Sequence, residues 1–355
     1  MTERFTLPRR RDLKPAEDYG FFGPGSVTWK VWSYPTSLTV GFQRAVVVEE
    51  LDPALVTAVT HTYDIFKRPR TRYSRTLSYF ALVAFGDTRT TAKAADVLVK
   101  VHSKAVGTEP LSGRPYDAND PDSQLWIHLT AWHSILYAYE KYGPGKLSPE
   151  EEARYWEECA VAAELQTCDP ADVPRTREGV REYFERMRPQ LVGSEMARNA
   201  MNHLLDSKVM LPDLRWPVRL VAEVISAFID TATLATMPRW MRDMAGLPQS
   251  RLVDALIVPV MRMGFGFVHL SRRLELVLLA LLSPRTVPIA GPVLLRVPPQ
   301  NAETLTPAQA RERYGYAKPS EAHPELRRKQ KDKAHAGMRT SDEGLHESEP
   351  YLGTA

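Results

Sequence analysis

The chain is punctuated as a succession of helices: a capping side chain, a proline at the first helical position, then glycine or proline at the far end. Asp120-Pro121 opens a helix expected to run to Gly143. Ser148-Pro149-Glu150-Glu151 is a capping box, because Glu151 stands three residues after Ser148. A further start lies near Thr176, after Pro174, and Trp216-Pro217 opens a long apolar helix expected to end near Pro238. Asn202 and His203 fall in a helix over about 190–205. No two-residue hairpin flanked by alternating strands appears, and no repeat of fixed period. The expected fold class is therefore all-α, a single multi-helix domain of about ten helices.

The expected organisation is an irregular leader over 1–25, a helical domain over 26–285, a proline-rich extension over 286–317 and a disordered charged tail over 318–355. The tail carries a basic run (Arg327, Arg328, Lys329, Lys331, Lys333) before an acidic one, which reads as a solvated end. A chain of 355 residues hides enough surface for a sizeable core. Its 43% hydrophobic and 25% charged residues are globular in proportion. A net charge of +3 gives no ground for nucleic-acid binding. Cys159 and Cys168 are too few for a disulfide framework or a cysteine metal site, which points to a reducing, cytoplasm-like setting. The polar, basic start at Met1–Lys14 has no apolar segment of a signal peptide after it, so a cytoplasmic location is expected. Apolar runs at 252–261, 274–282 and 287–297 are interrupted by Arg262, Arg272, Arg273, Glu275 and Pro284. Each falls short of the ~20 apolar residues of a spanning helix. They are expected first as core helices and second as a surface, within 250–297, for peripheral contact with a membrane or partner.

Two helices hold the candidate chemistry. The first is expected over about 71–85, stopped by Gly86. Arg72, Arg75 and Thr76 share one of its faces beside Tyr79, Phe80 and Val83. Surface arginines whose stems cover a core are the plainer reading of that stripe. The second is expected over about 91–106, stopped by Gly107. Ala94, Ala95, Leu98, Val101, His102 and Ala105 form one apolar face that includes His102. Such a histidine is either a hydrogen-bonded core residue or a neutral ligand for a metal or haem iron. In a third helix His128 lies with Leu125, Leu129, Trp132 and Ile135, open to the same two readings. No HExxH, phosphate-binding glycine loop, GxSxG or CxxC motif is present.

These residues stand in a recognisable order. Arg72-Tyr73-Ser74-Arg75-Thr76 precedes Phe85-Gly86. Then come Val101-His102, Ala105-Val106-Gly107, Tyr116-Asp117-Ala118 and Leu125-Trp126-Ile127-His128, followed by Tyr137, Leu147-Ser148, Val173-Pro174 and Met187 to Leu191. Over about 40–250 this order resembles the MpaB-type oxygenase family, which includes the latex clearing proteins, or rubber oxygenases. The resemblance implies a globin-like helical core around a b-type haem, with His102 as the proximal iron ligand. It implies that Arg72 and Thr76 lie on the distal side, and that Trp126 and His128 belong to a segment needed for stable haem binding. Arg75 falls where some members carry a lysine, and a charged arginine offers iron no lone pair. Val106 replaces an arginine of many relatives and Val99 an arginine of some, so a propionate contact would come from elsewhere. The family's carboxylate base has no clear counterpart; Glu49 and Glu50 are candidates by proximity.

Two functions follow. One is a haem b-dependent oxygenase or oxidoreductase acting with dioxygen on an apolar, isoprenoid- or lipid-like substrate, with Arg72, Arg75 and Thr76 as the catalytic candidates. The other is a non-catalytic helical haem or lipid carrier. The Arg72/Thr76 pair opposite a ligand histidine favours the enzyme.

Overall fold

The computed structural model describes residues 9–61, 64–212 and 214–335. The described chain folds into helices α1 Val27–Trp32, α2 Phe42–Val48, α3 Pro53–His61, α4 Asp64–Lys67, α5 Pro69–Phe85 and α6 Thr88–His102. A small hairpin follows, β1 Val106–Thr108 and β2 Pro115–Asp117. Then come α7 Pro121–Tyr142, α8 Pro149–Ala163, α9 Arg177–Met187, α10 Glu195–Leu205, α11 Trp216–Thr236, α12 Arg239–Ala245, α13 Arg251–His269, α14 Arg272–Leu282 and α15 Val287–Leu294. The last are α16 Pro307–Tyr314 and α17 Pro319–His335. The all-α expectation holds, with more and shorter helices than the sequence pattern resolves.

The capping side chains act as their chemistry requires. Asp120 Oδ1 accepts from the Ser123 amide at 3.0 Å, Ser148 and Glu151 form the reciprocal box, and Thr176 Oγ1 accepts from the Gly179 amide at 3.1 Å. The core is aromatic and centres on α7. Trp132 packs on Trp32 at 5.2 Å and on Tyr155 at 5.0 Å between ring centroids, and all three are fully buried. Helix α5 also packs against α15 and the turn before it, where Ser74 bonds Ser283 and Ser78 bonds Thr286.

Three expectations are corrected. Helix α6 stops at His102 rather than near Val106, because residues 106–117 turn back as an antiparallel hairpin. Its six-residue loop is organised by Glu109, whose carboxylate accepts from the Leu111 and Ser112 amides and the Ser112 hydroxyl. Gly113, at φ +72°, supplies the left-handed turn that a side chain would strain.

The second correction concerns the end of the chain. The expected disordered tail is helical over α17, and Arg327 ties it to the hairpin through Asp117. A basic residue read as solvated has a carboxylate partner distant in sequence. Residues 336–355 lie outside the described region, as do residues 1–8 of the leader. The rest of the leader is irregular apart from one turn at Arg10–Asp12. It is held by Asp18, whose Oδ1 accepts from the Gly20 and Thr88 amides and the Thr88 hydroxyl, each at 2.8 Å.

The third concerns the apolar runs. Those at 274–282 and 287–297 are largely core, through Leu276, Leu279, Leu282, Val287 and Ile289. The run at 252–261 is not: only one side of α13, through Ile257, Met261 and Phe265, is buried.

Candidate functional site

One cavity collects the sequence candidates. It lies between α3, α5, α6, the hairpin and the start of α7, with about 210 Å³ open to the centres of water molecules. Its wall is mostly apolar, including Leu55, Ala58, Val59, Leu98, Val101 and Ile127. Its ionisable groups are Glu49, Glu50, Arg68, Arg72, Arg75, His102 and Asp117, joined by uncharged polar residues that include Thr76 and Gln124. An apolar chamber with a few convergent ionisable groups is the usual form of a ligand site.

Each group is placed by local sequence. Pro69 at the first position of α5 starts that helix where its missing N–H costs nothing. Arg72, Arg75 and Thr76 then face the cavity together, as their spacing requires. Thr76 Oγ1 donates back to the Arg72 carbonyl at 3.1 Å, which fixes its rotamer. His102 is the last residue of α6, and the hairpin that begins four residues later folds Tyr116, Asp117 and Ala118 onto the same wall.

His102 is neutral. Burial lowers its pKa to about 4, and the nearby Arg72 charge pushes it the same way. Its Nδ1 faces the Gln124 amide nitrogen at 3.4 Å, and that amide also donates to the Ala118 carbonyl at 2.6 Å. Which of the two nitrogens donates in that contact is set by the ring's tautomer, and no described protein group bonds Nε2.

The carboxylates are perturbed in the opposite sense. Burial raises Glu49 to about 8, against the downward pull of Arg72. Burial, with Glu49 adding to it, holds Glu50 well above the usual carboxylate range. Glu50 is 1% exposed, and its Oε2 has no hydrogen-bond partner among the described residues. A buried oxygen without a partner beside a cavity is costly unless it keeps a proton or meets a ligand.

Two expected site residues do not line the cavity. His128 is fully buried behind it with both ring nitrogens engaged: Nε2 donates to the Cys159 carbonyl at 2.7 Å and Nδ1 faces the Gln166 amide nitrogen at 3.3 Å. This is the hydrogen-bonded core histidine of the plainer reading. Trp126 is also fully buried, and its indole N–H donates to the Glu49 carbonyl at 3.2 Å. It therefore positions the carboxylate segment rather than touching the cavity.

Residues that sequence reasoning did not mark are Arg68, Gln124 and Asp117. Gln124 had a readable signal: the Asp120-Pro121 cap places it in the first turn of α7. Asp117 stood within the Tyr116-Asp117-Ala118 motif, but a three-residue strand is too short for alternation to place its side chain. Among the described residues no cluster of three or more His, Cys, Asp or Glu could hold a metal ion.

A second, smaller cavity of about 60 Å³ is lined by Ser226, Ile229, Leu278, Leu282 and the half-exposed Ile225. Tyr73 belongs to the walls of both cavities and is the partition between them.

Residues 29–268 match the family model described as the ER-bound oxygenase mpaB/B'/rubber oxygenase catalytic domain. No curated protein and no solved structure matches the chain. The matched region contains every residue that lines the large cavity, and the chain belongs to this family of oxygenase catalytic domains.

Proposed function

We propose that the large cavity is the active site of a haem b-dependent oxygenase acting with dioxygen on an apolar, isoprenoid- or lipid-like substrate. The observation that carries the reading is a single neutral histidine on an apolar cavity wall, with no multi-residue metal cluster among the described residues. A metal held through one imidazole needs its other ligands from elsewhere, and a porphyrin brings four nitrogens of its own.

The residues present fit such a group. His102 would hold the iron, since its neutral ring keeps a lone pair available. Gln124 is placed at Nδ1, where a partner selects the tautomer and orients the ring; ligation through Nε2 requires the proton on Nδ1 and an accepting Gln124 oxygen. Arg68, Arg72 and Arg75 supply cations for the propionates, in place of the relatives' arginines at positions 99 and 106. When bound, haem supplies the redox chemistry and the activation of dioxygen.

The chain's own residues do the rest. Leu55, Val59, Leu98, Val101 and Ile127 exclude water and receive an apolar chain. Arg72 and Thr76 set the polarity of the wall. Arg75, always charged, acts as a hydrogen-bond donor and not as an iron ligand. Glu49 holds a proton near neutrality and is the group able to take or give one beside Arg72. Trp126 keeps that segment in place through the Glu49 carbonyl.

The test is the absorption spectrum of purified protein after haem reconstitution. A Soret band that responds to carbon monoxide, together with oxygen uptake on addition of an isoprenoid or unsaturated lipid, supports the reading. A Soret band without uptake on any apolar substrate leaves the haem and lipid carrier instead. No Soret band removes both.

A further inference from the structure

The most unusual surface of the molecule is formed by two helices that do not line the large cavity. Helices α11 and α13 pack on each other and expose large apolar side chains. Trp216 is 76% exposed, Leu256 60%, Met263 73%, Phe267 66% and Leu270 84%. A monomeric protein rarely leaves so many such residues together in water. Helix α13 is long and apolar enough to cross a membrane, yet only Ile257, Met261 and Phe265 along it are buried.

We infer that the α11/α13 face docks in the plane of an anionic lipid bilayer, its apolar side chains entering the interface between headgroups and acyl chains. Charge selects this occupant. The exposed charges on α11 to α14 and their connections include Arg215, Arg239, Arg251, Arg262 and Arg273, against one exposed acid, Asp243. The other carboxylates are engaged: Glu223 bonds Arg219, Asp230 accepts from Ser207 and Gln43, Asp254 is held by Arg242 at 2.9 Å, and the buried Glu275 by Arg272 at 2.8 Å. Arginines beside an apolar face suit anionic headgroups and would repel one another across an interface of two copies. The segments of this sequence outside the described residues are polar or charged, and so are poor covers for the face.

The helix lies on the membrane rather than crossing it. Ile257, Met261 and Phe265 seat one side of α13 on the protein, and Arg262, near its middle, donates to the Lys141 carbonyl at 2.9 Å. A spanning helix would carry that arginine to the centre of the bilayer, where charge is most costly. The small cavity behind Tyr73 is lined by Ile225 of this same face, so the docked surface lies over apolar space that adjoins the large cavity. The docking itself is independent of what the large cavity holds.

The experiment is flotation of the full-length protein with vesicles of phosphatidylcholine alone and of phosphatidylcholine mixed with phosphatidylglycerol. Binding is expected to the mixed vesicles, at least about tenfold tighter than to neutral ones, and weakened by salt. The double variant Leu256→Glu/Phe267→Glu is expected to lose about tenfold or more in binding with unchanged circular dichroism, since both positions are exposed. As a milder variant, Arg251→Gln/Arg273→Gln is expected to lose only the preference for anionic vesicles. Three results would each overturn the inference: no vesicle binding, a soluble dimer that the double variant dissociates, or resistance of the bound protein to alkaline extraction, which marks a spanning helix.

Discussion

The guanidinium of Arg327 closes on the Asp117 carboxylate with bonds of 2.6 and 2.8 Å to one oxygen. It also donates to the Ser103 carbonyl at 3.1 Å. Asp117 lines the cavity, and Ser103 directly follows His102 at the end of α6. One arginine of the terminal helix therefore pins both the hairpin and the end of the helix that presents the candidate ligand. Arg327→Ala is expected to cost about 1–2 kcal/mol, as a charge-assisted network that is only partly exposed. Truncation before Pro319 should cost at least as much. Urea denaturation measures it, and a loss within about 0.5 kcal/mol would mean that the helix is ornamental.

His102 and His128 should separate ligation from packing. His102→Ala is expected to abolish haem retention while leaving the fold intact, because alanine suits the helix end and the ring already borders a cavity. His128→Ala strands the Cys159 carbonyl and the Gln166 amide in the core, and should cost about 3 kcal/mol while the remaining folded protein still binds haem. Haem content per folded molecule, followed beside stability, checks both. An unchanged Soret band in folded His102→Ala protein would move the ligand elsewhere.

The contrast between these two histidines marks what the sequence could express. Both sit on apolar helical faces, and periodicity gives them the same two readings. What separates them is tertiary: α8 supplies a carbonyl to His128, whereas α6 ends at His102 and no group among the described residues bonds its Nε2. Helix starts were legible wherever a cap and proline coincided, as at Asp120-Pro121 and Ser148-Pro149, since capping is a local interaction. The Arg72/Arg75/Thr76 face was legible because helical spacing alone places it. The hairpin, the docking of α17 and the exposure of α13 were not. Each depends on partners distant in sequence, or on an apolar helix having a protein neighbour on one side only.

Gln124 offers a test of orientation without loss of the ligand. Gln124→Leu removes the group facing His102 Nδ1 but keeps a side chain of similar size. Loss of such an outer hydrogen bond should weaken haem retention by about 10- to 100-fold, with the Soret band kept at saturating haem. Gln124→Glu should retain the haem and lower the iron reduction potential, because a carboxylate strengthens the imidazole as a donor. Haem titration and potentiometry check the pair. A variant series with no change in either would show that Gln124 does not orient the ring.

The pH dependence of stability in the cofactor-free protein has two arms of opposite sign. His102 and His128 are held at about 4 in the folded chain, below the 6.5 of a free imidazole. The unfolded chain takes up their protons first, so their contribution is complete above pH 6.5 and is lost as pH falls towards 4. Glu49 is raised from 4.5 to about 8, so the folded chain keeps a proton that the unfolded chain releases. Its contribution is complete below pH 4.5 and is lost as pH rises towards 8. The steepness is bounded by about 1.4 kcal/mol per pH unit for one proton. Glu49→Gln, which mimics the protonated form, should flatten the alkaline arm and leave the acid arm in place. Unfolding free energies measured across both windows decide it. An alkaline arm unchanged in Glu49→Gln would place the missing proton on Glu50, the fully buried neighbour raised in the same direction.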